Sequence, residues 1–207
     1  MSQIALPLSA AGKSGRIILG PSNQPVADAF ARADGWPFRT AILTGPARSG
    51  KSLLARWFAD SSPDRGAREA IDDADRQPEA ALFHRWNRAQ EAGTALLLIT
   101  TKPPGEWQIA LPDLASRLGS ALLLEIGPPD DTMLAALVEE HAARRGLVLG
   151  EGASGWLLPR LERSHAAVEA LVGTIDRLSL ERKQPVTISL LRDALAERGG
   201  AFQPRLL

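Results

Sequence analysis

Short apolar runs recur along the first part of the chain and predict buried strands. The runs are TAILTG (40–45), ALLLIT (95–100) and ALLLEI (121–126), and turn-forming residues follow each of them. A run that is apolar at every position is typical of a parallel strand that is covered on both faces. The pattern therefore predicts three buried parallel strands.

Apolar residues at helical spacing lie between these runs. They form two stripes, Leu53-Leu54-Trp57-Phe58 and Leu82-Phe83-Trp86-Ala89, and Gly93 ends the second. Spacings of three and four residues place apolar side chains on one face of a helix, and glycine commonly follows the end of a helix. Strands that alternate with helices predict an α/β fold with a parallel sheet.

The pattern changes after Pro128-Pro129, where helical stripes continue but equally dense strand-like runs do not. Asp130, Asp131 and Thr132 supply the N-terminal cap of a helix, and Arg144-Arg145-Gly146 ends it. We predict an α/β subdomain over residues 16–128 and a small all-helical subdomain over residues 129–200. Tails at 1–15 and 201–207 complete the chain.

Composition narrows the class of protein. The 207-residue chain is 44% hydrophobic, has no cysteine and three histidines, and balances 24 basic with 24 acidic residues. It therefore has no disulfide or thiolate metal site, and no general attraction for nucleic acid. No apolar run approaches the roughly 20 residues of a membrane span, and the N-terminus does not fit a secretory signal. We expect a cytoplasmic protein that reaches DNA only indirectly.

The sequence GPARSGKS at 45–52 has the spacing of a phosphate-binding loop and lies between a predicted strand and a predicted helix. Gly45 and Gly50 allow backbone N–H groups to approach phosphate oxygens. Lys51 neutralises the β and γ phosphates, and the Ser52 hydroxyl can ligate Mg²⁺. The motif predicts a nucleotide site.

Three other places could serve such a site, although each has a simpler interpretation. Asp72 and Asp73 could hold Mg²⁺ through water, but they also suit a solvated helix start. Thr100 ends a predicted strand, where its hydroxyl could face the γ phosphate or merely form a turn. Arg117 lies in LPDLASRL and could be a solvated surface charge.

The order of these segments resembles the AAA+ domain of the DnaA-type family of replication initiators, and more closely its shortened, Hda-type members. The resemblance covers roughly residues 16–200 and is carried by GPSN (20–23), GPARSGKS (45–52), IDDAD (71–75), LLITTKPP (97–104) and LPDLASRL (111–118). It implies a parallel P-loop sheet with a reduced number of strands, followed by a helical lid. We find no counterpart of DnaA's helix-turn-helix domain after the predicted lid.

The resemblance also implies roles for individual residues. The resemblance places Pro21, Ser22 and Asn23 near the adenine of the nucleotide. Asp72 and Asp73 correspond to the Walker B pair, with Asp72 and Ser52 near Mg²⁺, and Thr100 corresponds to sensor 1. Arg117 matches an arginine finger that reaches the nucleotide of a neighbouring subunit. The implied ligand is ADP or ATP.

The predicted lid departs from the family pattern at one position. The sensor 2 arginine aligns with Ala166, and Arg163 lies one helical turn earlier, where it could substitute. Only ten residues separate the first helix from IDD, which leaves little room for another strand and helix. Both features suggest weak ATP hydrolysis by the chain itself.

The N-terminal stretch QIALPL, residues 3–8, is unusually apolar for a tail. Judged alone, it suits an edge strand or a loose tail. Within the family it is similar to a motif that binds the bacterial sliding clamp. Pro7 would hold the peptide extended, and Gln3 would bond at the rim of an apolar groove. Leu6 and Leu8 would fill the groove, and Ile4 is a further partner-binding residue of the motif.

The resemblance implies a negative regulator of replication initiation. Such a protein binds the DNA-loaded sliding clamp and promotes hydrolysis of DnaA-bound ATP through Arg117, near the replisome and nucleoid. A homodimer is also compatible with the family. Two other functions stay open: an ATPase motor or helicase loader that uses Arg117 within its own oligomer, and a nucleotide-gated clamp adaptor that does not stimulate hydrolysis.

Overall fold

A computed structural model describes residues 5–6, 16–61, 66–102 and 104–199, with only the backbone described at Ala5, Leu6 and Pro104. The chain divides into two compact units, the first from Ala5 to Gly127 and the second from Pro128 onward.

The first unit combines strands and helices, and the second is helical. The first contains β1 (Ala5–Leu6), β2 (Ile17–Ile18), α1 (Gln24–Phe30), β3 (Thr40–Thr44), α2 (Lys51–Asp60), β4 (Arg68–Ile71), α3 (Glu79–Glu91), β5 (Ala95–Ile99), α4 (Pro112–Gly119) and β6 (Leu122–Glu125). The second contains α5 (Asp131–Arg144), α6 (Ala153–Leu157), α7 (His165–Arg182) and α8 (Ile188–Glu197). Short 3-10 helices lie at Ala33–Gly35, Pro37–Arg39, Ala74–Arg76, Pro104–Glu106 and Leu158–Arg160.

Four parallel strands form the central sheet in the order β4-β5-β3-β6. The register places Ile42 opposite Leu98 on one side and opposite Leu123 on the other. A separate two-stranded ribbon pairs β1 with β2 in antiparallel orientation. The prediction of a parallel sheet with few strands, flanked by helices and followed by a helical subdomain, is confirmed.

The strand β6 is covered on only one face, so the prediction that it is fully buried is wrong. Its central Leu123 is 52% exposed, whereas every residue of β3 and β5 is buried. The physical reason is position, because β6 lies at an edge of the sheet and pairs only with β3 within the described residues. An apolar run does not itself distinguish a central strand from an edge strand.

Two hydrophobic layers enclose the sheet. One layer joins Leu43 and Leu97 to aromatic side chains that include Phe30 and Phe58, whose ring centroids lie 4.9 Å apart. The opposite layer joins the alternate strand residues to α3 and α4. Side chains of successive strand residues point to opposite faces, so a continuous apolar run supplies both layers.

The second unit has its own apolar core, built mainly from α5, α7 and α8. Side-chain oxygens of Asp130, Ser164 and Thr187 accept hydrogen bonds from backbone N–H groups at the starts of these three helices. Such caps satisfy donors that a helix leaves unpaired at its start. None of the helices in the described part of the chain is long and apolar enough to cross a membrane.

A partly buried histidine on α5 gives this unit a predicted pH dependence. Burial lowers the pKa of His141 below its ordinary value of 6.5; Arg145 and Arg144 lower it further, and Glu169 and Glu140 oppose the shift. Just below pH 6.5, the unfolded chain therefore binds a proton that the folded chain does not, and the free energy of unfolding falls as the pH falls.

We expect His141→Gln to lose less stability than wild type when the pH is lowered from about 7.5 to about 5.5 in urea unfolding. His84→Gln removes an exposed histidine of α3 and serves as the control. The same pH dependence in wild type and His141→Gln would contradict this account.

Candidate nucleotide-binding site

At two positions of the loop between β3 and α2, the backbone has a conformation that favours glycine. Gly45 has φ +151°, and a Cβ atom there would lie 3.0 Å from both the Cβ and the carbonyl oxygen of Ile126. Gly50 has φ +85° and immediately precedes α2. Residues with a side chain rarely adopt such backbone angles, so both glycines have a conformational role.

The ammonium group of Lys51 is folded back onto this loop. Its Nζ donates to the carbonyl oxygens of Gly45 at 2.8 Å and Pro46 at 2.7 Å. Burial lowers the pKa of Lys51 below its ordinary value of 10.5, and the negative charges of Asp72, Asp73 and Asp75 partly oppose that shift. The loop therefore contains a buried cation at the start of a helix.

Two serines add hydroxyl groups to the same loop. Ser52 is the second residue of α2 and is partly buried. Ser49 is only 5% exposed, and its Oγ has no hydrogen-bond partner among the described residues. The first N–H groups of a helix also lack partners within the helix. This set of N–H, hydroxyl and ammonium donors fits the phosphates of a nucleotide.

The predicted carboxylates follow the edge strand β4. Asp72 and Asp73 are exposed, Asp73 has φ +47°, and its backbone N–H donates to Oδ1 of Asp72 at 3.1 Å. Both carboxylates are close enough to Lys51 to raise its pKa. The fold thus brings the two aspartates into electrostatic range of the phosphate loop, although 20 positions separate Ser52 from Asp72 along the chain.

The threonine at the end of β5 already uses its polar groups. Thr100 is 1% exposed, its N–H donates to the carbonyl of Leu43 at 3.0 Å, and its hydroxyl donates to the carbonyl of Lys102. The neighbouring Thr101 is exposed and donates to Oδ2 of Asp75 at 3.3 Å. The hydroxyl of Thr100 therefore stabilises the turn, and its sensor role stays a prediction.

The GPSN segment forms a tight turn before α1. The side chain of Asn23 accepts from the N–H of Gly20 and donates to the carbonyl of Ile18, both at 2.9 Å. The carbonyl of Ser22 accepts from the N–H of Gly127 at 3.0 Å. Asn23 is buried and shapes this turn, whereas Pro21 is exposed. Their proximity to an adenine stays a prediction.

Arg117 lies in the last turn of α4 and contacts α3. Its guanidinium carbon is 4.5 Å from the ring centroid of Phe83 and 4.3 Å from that of Trp86. One guanidinium nitrogen donates to the amide oxygen of Asn87. The side chain is thus half-buried and held by its own subunit, rather than freely solvated as its simpler interpretation suggested.

Comparison with known proteins relates the second unit to one family and the whole chain to one fold. Residues 130–195 match the family of Hda lid domains. Domain III of DnaA from Thermotoga maritima has a similar structure, with a TM-score of 0.71 at 14% identity over 87% of this chain and 94% of that chain. The chain therefore combines a lid of the Hda family with the fold of DnaA domain III.

Other AAA+ structures share the fold at similarly low identity. AMPPCP-bound DnaA from Aquifex aeolicus matches with a TM-score of 0.63 at 16% identity, over 88% of this chain and 68% of that chain. The branch migration motor RuvB from Thermotoga maritima matches with a TM-score of 0.63 at 17% identity, over 86% of this chain and 70% of that chain. At these identities the likeness concerns the fold alone.

In the lid, Arg163 precedes α7, whereas the sequence predicted that it lies on the same helix as Ala166, one turn earlier. Ser164 caps α7, and Arg163 pairs with Asp131, with a shortest separation of 2.9 Å between exposed side chains. Ala166, at the sensor 2 position, is exposed in the first turn of α7. A contact between Arg163 and nucleotide stays a prediction.

The proposed clamp motif falls mainly outside the described residues. Gln3, Ile4, Pro7 and Leu8 lie there, whereas the backbone of Leu6 pairs with Ile17 in the β1–β2 ribbon. The backbone in the middle of the motif is therefore extended. An edge strand has this conformation, and a peptide that binds in a groove needs it as well.

Several residues of the phosphate loop and of the surroundings of Arg117 are not singled out by the sequence alone. Ser49 is part of the phosphate-loop motif but occupies one of its variable positions. Asp75 acts on Lys51 together with the two predicted aspartates. Phe83 and Trp86, which contact Arg117, belong in the sequence only to a helical stripe, although their spacing of three residues places them on one face of α3.

Proposed function

We propose that this protein is a nucleotide-dependent regulator of DnaA, which it inactivates by promoting hydrolysis of DnaA-bound ATP. The match of residues 130–195 to the Hda lid family is the observation that supports this function most directly. The phosphate loop binds the protein's own nucleotide, and the arginine on α4 acts on the ATP of DnaA. The sliding clamp holds the protein near DNA. Contact with DNA is then indirect.

The nucleotide is ADP or ATP with Mg²⁺, held by the loop between β3 and α2. Gly45 and Gly50 shape the loop, Lys51 contacts the phosphates, and Ser52 and Asp72 hold Mg²⁺ directly or through water. The lysine is already oriented by two loop carbonyls, so a phosphate would replace or join these acceptors. The AMPPCP-bound relative of similar fold supports an adenine nucleotide.

Arg117 acts on the nucleotide of DnaA rather than on the protein's own. A guanidinium group brought to the γ phosphate stabilises the negative charge that spreads over the transferring phosphoryl group. It presents N–H donors in a planar fork that matches phosphate oxygens. The protein itself contributes this positive charge and its orientation, while DnaA contributes the bound ATP and the attacking water.

Weak hydrolysis by the protein itself agrees with the geometry of its own site. Asp72 and Asp73 follow an edge strand and are exposed, and the hydroxyl of Thr100 is engaged by a turn. Efficient hydrolysis needs donors and carboxylates fixed at the reacting phosphate. The bound nucleotide therefore serves mainly to stabilise the form that docks on DnaA.

The experiment that tests this function follows DnaA-bound radiolabelled ATP in the presence of sliding clamp loaded on nicked DNA. Wild-type protein should accelerate conversion to ADP, and the acceleration should require the clamp. Absence of acceleration would overturn the proposal. Rapid ATP hydrolysis by the protein without DnaA would instead indicate a motor or loader, and clamp binding without acceleration would indicate an adaptor.

The N-terminal motif is predicted to carry clamp binding. Combined Gln3→Ala and Leu6→Ala substitution should weaken clamp affinity roughly 100-fold, because one hydrogen bond and one buried leucine side chain are lost. Surface plasmon resonance with immobilised clamp measures this effect. Ser2→Ala with Ser9→Ala, which flanks the motif, is the matched control. Unchanged affinity of the first double variant would refute the assignment, whereas nucleotide affinity should stay the same in all variants.

A further inference from the structure

Arg48 lies in the phosphate loop with a backbone conformation that arginine rarely adopts. Its φ is +65°, in the left-handed region, and the residue is exposed. The N–H of Ser49 donates to the carbonyl of Pro46 at 3.3 Å, which makes Arg48 the third residue of a four-residue turn. A positive φ at this place in a turn favours glycine or asparagine. The loop therefore holds an arginine in a strained conformation.

The strain at position 48 calls for a physical reason. A left-handed conformation is unfavourable for every residue except glycine, because the Cβ atom comes too close to the following carbonyl oxygen. Residues in such conformations cluster at binding and catalytic sites, where the surrounding structure holds them in place. Glycine at this position would form the same turn without strain. A role of the side chain itself would explain why arginine stands here.

The turn that carries Arg48 also contacts the ammonium group of the loop. The carbonyl of Pro46 accepts from Nζ of Lys51 at 2.7 Å as well as from the N–H of Ser49. Ser49 is 5% exposed, and its Oγ has no hydrogen-bond partner within the described ranges. Successive N–H groups beside a left-handed residue form a concave surface that binds anions. Arg48 thus borders the part of the loop that would receive phosphate.

The charges near the ammonium group of the loop are mainly negative even without nucleotide. Asp72, Asp73 and Asp75 all act on Lys51, so one positive and three negative charges give a sum of minus two. ADP or ATP adds further negative charge, which Mg²⁺ partly neutralises. A second cation on the loop reduces the remaining repulsion. In GPARSGKS, the residue that can supply it is Arg48.

We propose that the guanidinium group of Arg48 binds the α and β phosphates of the nucleotide. The N–H groups of a phosphate loop cradle these two phosphates, whereas the lysine reaches the β and γ phosphates. The long side chain of Arg48 can turn toward them, and its planar fork matches pairs of phosphate oxygens. Arg48 thereby strengthens the binding of ADP and ATP alike. This role rests on the nucleotide binding of the proposed function, but it needs neither DnaA nor the clamp.

Three variants of the whole protein separate charge from backbone strain. Arg48→Ala and Arg48→Gly both remove the guanidinium, but only glycine relieves the strain. Each should bind ADP and ATP about 3- to 10-fold more weakly than wild type, in competition with a fluorescent analogue. The loss is smaller than that expected for a buried charge, because solvent screens the exposed Arg48. Arg48→Lys should keep most of the affinity, and Arg56→Ala, exposed on α2, is the matched control.

Thermal unfolding and salt dependence supply two further readouts. Without nucleotide, Arg48→Gly should unfold at a higher temperature than Arg48→Ala, because both lack the charge and only one keeps the strain. The affinity lost in Arg48→Ala should shrink between about 0.1 M and about 1 M salt, since exposed charges are screened. An affinity loss that does not depend on salt would contradict a role of the charge. Unfolding of Arg48→Gly at or below the midpoint of Arg48→Ala would contradict the strain.

The pattern of affinities decides between the proposal and its alternatives. Wild-type affinity in both Arg48→Ala and Arg48→Gly would overturn the role of Arg48 and leave the proposed function intact. A loss in Arg48→Ala alone would mean that the backbone of the loop matters rather than the charge, and would overturn the role as well. A loss confined to ATP would place the guanidinium at the γ phosphate instead. If wild-type protein binds neither ADP nor ATP, the nucleotide binding of the proposed function fails together with this role.

Discussion

Replacement of Arg117 by alanine is expected to abolish the accelerated hydrolysis of DnaA-bound ATP. An arginine finger is worth about 10³- to 10⁵-fold in rate where its contribution is known, because it stabilises charge on the transferring phosphoryl group. Alanine removes this charge and all five N–H donors. The rate should therefore fall to that of DnaA without the protein, which is the largest effect that we expect from one substitution.

The same assay with clamp-loaded DNA measures this loss, and two variants make it interpretable. Arg117→Lys keeps a positive charge but not the planar fork, so it should restore only a small part of the acceleration. Arg88→Ala removes an exposed arginine from the neighbouring helix and should behave as wild type. Clamp affinity and nucleotide affinity should be normal in all three variants. Acceleration by Arg117→Ala at the wild-type level would exclude the finger mechanism.

Replacement of Lys51 by alanine should weaken nucleotide binding about 100-fold. The ammonium group is the buried positive charge of the phosphate loop, and its Nζ lies 2.8 Å from the carbonyl oxygen of Gly45. Hydrogen bonds to a charged group contribute roughly 1.5–3 kcal/mol each, which corresponds to a factor of about 10 to 150. Without this charge the phosphates keep only the N–H and hydroxyl donors of the loop.

Titration with a fluorescent ADP or ATP analogue, with and without Mg²⁺, measures this affinity. Lys51→Met retains much of the length of the side chain and should lose affinity to the same degree as Lys51→Ala, which separates charge from packing. Without nucleotide, both variants should unfold within a few degrees of wild type, because relief of a buried charge offsets the two lost hydrogen bonds. Wild-type nucleotide affinity in either variant would refute the phosphate-loop assignment.

The central strands were predictable because their information is local. The apolar runs 40–45 and 95–100 correspond to Thr40–Thr44 and Ala95–Ile99, each within one residue. The order of strands in the sheet and the exposure of Leu123 were not predictable, because they depend on which strands become neighbours. Pairing between Leu6 and Ile17 is likewise a contact between separated segments.

The same difference between local and long-range information decides which parts of the candidate site were predictable. The phosphate loop is a continuous motif whose function lies in backbone geometry, so the spacing from Gly45 to Ser52 was informative by itself. By contrast, the hydrogen bond from Arg117 to Asn87 joins residues 30 positions apart along the chain. Arg163 lies before α7 because Ser164 caps that helix, and a sequence alignment does not show where the helix begins.

The edge position of β4 has a consequence for local stability. Within the described residues this strand pairs only with β5, and of its four residues only Ile71 is buried. Strands with few buried contacts open more often than the centre of a sheet, so Asp72 and Asp73 follow the segment that should fray first. A nucleotide whose Mg²⁺ contacts Asp72 would link this edge to the phosphate loop. Loss of nucleotide should then loosen one border of the sheet before the rest of the protein unfolds.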